Sequence, residues 1–354
     1  MSKLSALLEK PAGWLSGKNE ESEIVLSSRI RIARNLEKRS FTHGAPAEAL
    51  AEIRREAKDA LAATASMRDA LVIDVDDTSE TERMMLAERR LISQEMVSNH
   101  ANRCLVVRQD EKMSVMINEE DHLRLQSIES GLALREAFER IDGLDNELER
   151  VLAFAFSERL GYLTACPTNV GTGLRVSAMV HLPGLVHNGD ISQTIEGLRN
   201  VRLTVRGSYG EGTEVMGNFF QISNSITLGL SEEDTVTNLE GHIRKVIGFE
   251  KKAREVLLKK ARSLLEDKIW RAYGILKTAR LVTSKEAMGL NSAVRMGVGL
   301  GIITDVKMAV LNELLIMIQP IHLQRLHDRA MKSKERDRVR ADYIRARLNG
   351  KNGF

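Results

Sequence analysis

Cys166-Pro167-Thr168-Asn169-Val170-Gly171-Thr172-Gly173-Leu174-Arg175 sets a thiol, a glycine-rich turn and an arginine in one passage from loop to strand. Gly171 and Gly173 let backbone N–H groups approach an anion, although Gly-x-Gly also occurs in ordinary turns. Three further segments carry the same chemistry: Ser27-Ser28-Arg29-Ile30-Arg31, Asn118-Glu119-Glu120-Asp121-His122-Leu123-Arg124, and Arg206-Gly207-Ser208-Tyr209-Gly210-Glu211-Gly212-Thr213-Glu214. Within residues 24–32, Arg29 and Arg31 stand two apart on a β-prone run, so their side chains leave one face of a strand. Two guanidinium forks there suit a polyphosphate; they also suit the solvated face of a half-exposed sheet.

At 354 residues the chain is long enough for two domains, and its 52 basic against 49 acidic residues leave a formal net charge of +3. That balance does not by itself imply nucleic-acid or membrane binding, so any anion site must be local. Cys104 and Cys166 are the only cysteines. With neither zinc spacing nor a disulfide pattern they imply a reducing compartment, and the start of the chain has no sustained apolar run, so a cytoplasmic protein is expected. Strands are expected at residues 24–28, 103–109, 113–118, 174–182, 202–207 and 218–223, with Asp110-Glu111-Lys112 as a hairpin turn. Helices are expected at 46–63 and 132–156, where apolar residues return every three to four positions. This pattern is α+β with an antiparallel sheet over residues 1–230. From about Ser231 the composition turns amphipathic and helical, and 305–318 is almost continuously apolar, which predicts a helical domain over 231–354 whose apolar content suits a helical core or a dimer interface.

The four segments together, in order, resemble the phosphagen (guanidino) kinase superfamily and, within it, the bacterial protein-arginine kinases of the McsB type. The resemblance runs from about Ile24 to Leu230, with Asn118-Glu119-Glu120-Asp121 as the acidic box and residues 166–175 as the signature. It implies a catalytic domain of glutamine-synthetase-like fold, ATP with Mg²⁺ as cofactors, and five arginines, Arg29, Arg31, Arg124, Arg175 and Arg206, on the nucleotide phosphates. It also places Ser27, Ser28, Val176, Ser177, Ala178, Met179, Gly207, Ser208, Tyr209 and Gly210 around the nucleotide, Glu120 and Glu211 as substrate-facing carboxylates, and Cys166 as the active-site thiol. The histidine that relatives commonly place before Leu-Ile-Ser, near the adenine, is Arg90 here, and Met179 stands at a second such position. An arginine also stacks on a purine.

A guanidinium acceptor is protonated far above neutral pH and delocalised, so it neither attacks readily nor orients itself. Two carboxylates on its edges pin it, and one accepts the proton as the N–P bond forms; Glu120 and Glu211 are the candidates. The nucleotide side lacks Gly-x-x-x-x-Gly-Lys-Ser/Thr, His-Arg-Asp and Asp-Phe-Gly, which disfavours the P-loop and serine/threonine kinase classes. Arginines from separated segments could instead surround a triphosphate, with Mg²⁺ held by phosphate and water, so no protein metal cage is expected. Cys104, in an apolar strand, reads as structural, His122 is unassigned, and Gly297-Val298-Gly299-Leu300-Gly301 reads as a helix-packing turn.

Small-molecule guanidino kinases carry a helical domain ahead of the first arginine pair. Here that pair arrives at Arg29, which suggests an open acceptor site suited to arginine on a polypeptide. Arg336-Asp337-Arg338-Val339-Arg340-Ala341 matches the Arg-Asp-x-x-Arg-Ala motif that the resemblance associates with an allosteric phosphoarginine site formed by Arg336, Asp337 and Arg340; alone it would read as a charged helix surface. The expectation is an ATP-dependent protein-arginine kinase, homodimeric, with a stress-response role, an activator protein and a Clp-type protease as implied partners. A free-arginine kinase and a non-catalytic phosphoarginine-binding regulator are the rival readings.

Overall fold

Alternation of aliphatic with polar residues builds the central sheet of the computed structural model, which describes residues 10–209, 215–327 and 329–350 together with Leu4 and Leu7, and the backbone alone at Ser208, Tyr209 and Val215. Its strands are β1 (Val25–Arg34), β2 (Leu71–Asp74), β3 (Cys104–Val107), β4 (Met113–Ile117), β5 (Leu123–Ser130), β8 (Leu174–His181), β9 (Leu203–Tyr209) and β10 (Val215–Asn224); β6 (Phe156–Ser157) and β7 (Gly161–Tyr162) form a separate small hairpin. The described residues form an eight-stranded sheet ordered β2-β3-β4-β5-β1-β8-β10-β9, antiparallel at every pairing. The expected α+β antiparallel architecture is therefore present.

One face of the sheet is apolar. Ile30, Ile32, Leu125, Val176, Ala178, Val180 and Ile222 point into a core completed by Ile53, Ala57 and Leu61 of helix Ala47–Ala63 and by Ile141, Leu144 and Leu148 of helix Leu134–Glu149. Each fully buried aliphatic there contributes roughly 2 kcal/mol. Helix Glu232–Thr278 adds Val236, Leu239, Ile243 and Val246. It begins at Ser231, whose hydroxyl accepts from the Asp234 N–H, and three acids fill its positive first turn. The helical geometry breaks at Ala261 (φ −145°, ψ 39°), and from Leu265 onward the same rod belongs to a second core. That core joins it to helices Ser284–Gly299, Met308–Met317, Pro320–Leu326 and Ser333–Leu348.

Some elements depart from expectation. β1 runs six residues past Ser28, and β5 is a strand although five of its eight side chains are polar. Helix 132–156 ends at Glu149, because Leu152 and Phe154 keep their burial as irregular backbone leading into β6. None of the helices among the described residues is long and apolar enough to cross a membrane.

Candidate active site

Strand register decides which side chains share the other face of the sheet. In β1, Arg29 and Arg31 stand opposite Ser177 and Arg175 of β8, and opposite Ile128 and Gln126 of β5. Arg124 enters the same face from β5, opposite Ala33, and Arg206 from β9, opposite Gln221. Period-two geometry thus collects the arginines of four strands on one surface.

Their mutual repulsion marks how close they are. Burial, followed by the charges of Arg29, Arg124 and Arg175, pulls the Arg31 guanidinium well below its ordinary range, while Glu119 pulls the other way. Arg175 is lowered by burial, Arg206 and Arg124, while Cys166 and Glu120 pull it back. The Nε donors of Arg31 and Arg175 are buried with no hydrogen-bond partner among the described residues. A cationic surface with orphaned N–H donors and, among the described residues, too few carboxylates to pair them suits a polyanion, and the triphosphate of ATP fits that donor set.

The acidic box sorts into separate roles. Glu119 is buried and, against the pull of burial, Arg124, the Ser93 side chain and the Glu120 N–H hold its carboxyl below the usual range. It fixes the Arg124 fork from below. Glu120 keeps an accessible carboxylate, 3.3 Å from Arg124 Nη2, while its carbonyl accepts from the Thr42 hydroxyl. Asp121 is fully buried and its Oδ1 accepts from Asn35 Nδ2 and from the Ala165 N–H, each at 2.7 Å. It ties the end of β1 to the residue that precedes Cys166. His122 accepts at Nδ1 from the Leu36 N–H and faces the Ser40 carbonyl through Nε2, both at 3.0 Å; burial lowers it, so it is a neutral structural histidine.

Cys166 is partly exposed, with its Sγ 3.0 Å from the Thr168 hydroxyl at the start of the short helical turn Pro167–Asn169. The glycines that follow are required by close packing. Gly171 (φ +116°) and Gly173 (φ +66°) press against backbone: a Cβ would lie 2.2 Å from the Thr227 carbonyl oxygen at Gly171 and 2.6 Å from that of Ala33 at Gly173. They let the thiol loop seat directly on its neighbours.

The run 175–179 and its companions narrow in the structure. Arg175, Ser177 and Met179 face the arginine surface, whereas Val176 and Ala178 point into the core, because neighbouring strand residues alternate faces. Ser28 is likewise turned away, donating to the Gly131 carbonyl (2.8 Å) and accepting from the Ala133 N–H (3.0 Å). Gly207 pairs with the core residue Phe220. Ser208 and Tyr209 continue β9 in backbone, and Gly210 and Glu211 lie outside the described residues.

Beside the arginines a narrow cavity is lined by Ser27, Arg29, Arg90, Ser177 and Met179 and also by Trp14, Leu26, Ile128 and Gln221. Trp14, Ile128 and Gln221 were not legible as site residues. The Trp14 Nε1–H is buried without a partner among the described residues, and Gln221 accepts from Arg29 Nη2 at 3.3 Å.

In the C-terminal region Arg336, Asp337 and Arg340 share helix Ser333–Leu348 but have different surroundings. Arg340 is fully buried, donating to the carbonyls of Ile318 and Val282 (3.0 Å each) and to Asp337 (2.6 Å). Arg336 donates to the Met331 carbonyl at 2.7 Å. In helix Ser284–Gly299, Gly297 lets the backbone approach Ile269, as a helix-packing glycine.

Residues 52–253 match the model of the ATP:guanido phosphotransferase C-terminal catalytic domain, and residues 262–353 match that of the protein-arginine kinase McsB C-terminal domain. The chain is 44% identical over 336 residues to the protein-arginine kinase of Halothermothrix orenii, covering 95% of this chain and 96% of that protein. It is 45% identical over 345 residues to that of Symbiobacterium thermophilum, at 95% and 96% coverage. Among solved structures it resembles a lombricine kinase (TM-score 0.58, 26% identity, 68% of this chain and 71% of that one). It also resembles the duplicated taurocyamine kinase of Schistosoma mansoni with transition-state analogue components (TM-score 0.61, 27% identity, 76% and 39%). With a guanidino-kinase sheet, a convergent arginine surface and similarity to such relatives across nearly its whole length, the chain belongs to the protein-arginine kinase family of ATP-dependent phosphotransferases.

Proposed function

We propose that this enzyme transfers the γ-phosphoryl group of ATP to a terminal guanidinium nitrogen of arginine in protein substrates, using the arginine surface for the phosphates and Glu120, Glu211 and Cys166 for the acceptor. The observation that carries this reading is the convergence of Arg29, Arg31, Arg124, Arg175 and Arg206, with Glu120 and Cys166 both felt at Arg175. A phosphoryl group held by fixed guanidinium forks is positioned in line and its developing charge is spread without reorganisation. Glu120 and Glu211 orient the acceptor; one takes its proton as the N–P bond forms and the P–O bond to ADP breaks. A Cys166 thiolate would favour the guanidinium electrostatically. Mg²⁺ bound with the nucleotide would supply further neutralisation of the phosphate charge beside these arginines. Met179, Ile128, Arg90 and Trp14 form the wall we assign to the purine.

The same reading places an allosteric phosphoarginine contact at Arg336 and Asp337, with Arg340 as the buried residue that positions them. We draw the functional division between catalytic and regulatory parts at Ala261, where the long helix breaks and one core gives way to the other. Exposed Leu264, Trp270 and Leu281 on the helical part support a homodimer. A cytoplasmic stress-response role with an activator protein and a Clp-type protease as partners rests on family membership.

The test is incubation with Mg·ATP and an unstructured arginine-containing protein, with free arginine in parallel, read by phosphorus NMR and mass spectrometry for acid-labile N-phosphoryl groups. Labelled protein arginine that vanishes in Glu120→Ala and Glu211→Ala is the expected result. An active Glu211→Gln enzyme would refute that carboxylate's role, and labelling of free arginine alone would move the function to a small metabolite.

A further inference from the structure

An acidic cavity lies behind the thiol loop, between helix Leu134–Glu149 and the β6–β7 hairpin. Asp142, Asp145, Asn146 and Glu149 recur at helical spacing and present one face to it. Gly171, Thr172, Thr227 and Glu232 close the side toward the active site. The separation from the thiol is one loop thick: Cys166 Sγ contacts the Thr168 hydroxyl, and the Thr168 carbonyl accepts from the Thr227 hydroxyl at 3.0 Å.

Charge in this cavity is unbalanced. Arg34 forms its floor, fully buried, paired with Asp145 and Glu232 and stacked 3.4 Å over the Tyr162 ring. That pairing does not fully satisfy Asp145, whose side chain is 10% exposed and whose Oδ1 is buried without a partner among the described residues. Its carboxyl is raised by burial against the pull of Arg34, with Glu149 and Asp142 adding to the rise. Asp142 accepts only from Asn146 and Glu149 only from the Tyr162 hydroxyl, and neither makes an ion pair among the described residues. Arg159 is the sole other cation lining the cavity, against four carboxylates. At the rim Phe156, 58% exposed, meets Tyr162 edge-on at 5.2 Å. An exposed aromatic beside unpaired carboxylates is the environment that holds an ammonium or guanidinium.

We propose that this cavity is a second binding site of the kinase, an exosite for a basic side chain of the polypeptide that carries the acceptor arginine, and so a determinant that favours lysine- and arginine-rich segments. It rests on the proposed protein-arginine kinase activity for its role but not for its ligand chemistry. Asp142, Glu149 and the unsatisfied Asp145 receive the cation, and Phe156 covers its apolar stem.

Two measurements separate the exosite from the catalytic reading. The first is binding of a fluorescent, arginine-free, lysine-containing peptide by anisotropy at low and moderate salt, which needs no phosphoryl transfer. The Asp142→Asn/Glu149→Gln double variant should weaken it roughly threefold to tenfold, while its melting temperature stays near that of the unsubstituted protein. The second compares KM for acceptor peptides bearing either lysine or glutamine at roughly two to six positions from the arginine, a span set by extended-chain reach. The unsubstituted enzyme should favour the lysine peptide at one spacing, and the double variant should bring the KM ratio toward one. Equal peptide binding by both proteins, or a lysine preference that survives in the variant, overturns the exosite. Lysine-peptide binding with no transfer to any acceptor would instead strike the catalytic reading alone.

Discussion

Arg31 concentrates the site's physics in one side chain. Its guanidinium is crowded by three others and its Nε has no partner among the described residues, so in the absence of an anion it destabilises the fold it belongs to. Arg31→Met should therefore leave unfolding free energy unchanged or raise it by up to about 1 kcal/mol, while weakening ATP binding by about tenfold or more. Urea denaturation beside calorimetric titration checks both signs; a loss of stability with unchanged affinity would make Arg31 a structural residue. Its pairing with Arg29 was legible, because two positions apart on a strand means one face. The split within 175–179 required the same alternation to be applied strictly, and a resemblance that assigns the whole run to the nucleotide obscured it. Trp14 offered no local signal: a tryptophan in an unpatterned stretch comes to line the cavity beside the arginines only when the chain folds across Ile128 and Met179.

At the level of elements, the thiol loop is held by backbone contact. Asp121 joins Asn35 to Ala165, Thr227 supports Thr168 and Val170, and Gly171 and Gly173 remove the side chains that would keep these segments apart. Gly173→Ala should cost about 1–3 kcal/mol, from a positive φ combined with a Cβ pressed on the Ala33 carbonyl, and should displace Cys166 as well. Thermal unfolding with the rate of thiol alkylation measures it; an unchanged melting temperature would contradict the packing account. Strand β5, which delivers Arg124, was not anticipated, because its site-facing Arg124 and Gln126 and its buried polar Ser127 and Glu129 leave few aliphatics to signal a strand.

Across the whole molecule, the strand that carries Arg175 ends at His181, whose Nε2 lies 2.8 Å from the Ser292 hydroxyl of the C-terminal part. Nearby, Arg295 donates to the Ser22 carbonyl and to Asn312 and lies over Phe219. These buried contacts join the helical part to the sheet. Burial, with Arg295 and Arg254 nearby, holds His181 well below its ordinary 6.5. As pH falls through that value the unfolded chain takes up a proton that the folded chain refuses, so stability is present above 6.5 and is lost below it, at up to about 1.4 kcal/mol per pH unit. Glu111, Asp145, Glu232 and Glu250, raised by burial, pull the opposite way at lower pH. Comparison with His181→Gln isolates the histidine: urea midpoints from about pH 7.5 to about 5.5 should fall less steeply in the variant. Parallel slopes would show that His181 titrates normally.

The sequence by itself determined the antiparallel α+β class, the helical C-terminal region, the arginines and carboxylates, and through its ordered motifs the family, because periodicity, composition and motif order are properties of the chain alone. Tertiary structure decided which of those residues meet. Register placed Arg29, Arg31, Arg124, Arg175 and Arg206 on one face and turned Ser28, Val176 and Ala178 away. Packing made His122 and Arg340 internal ties, and it brought helix Leu134–Glu149 against the hairpin to form an acidic cavity from segments that are unremarkable one at a time. The physical reason is that pairing between distant strands and closure of a cavity depend on contacts far apart in sequence, which local propensity does not encode.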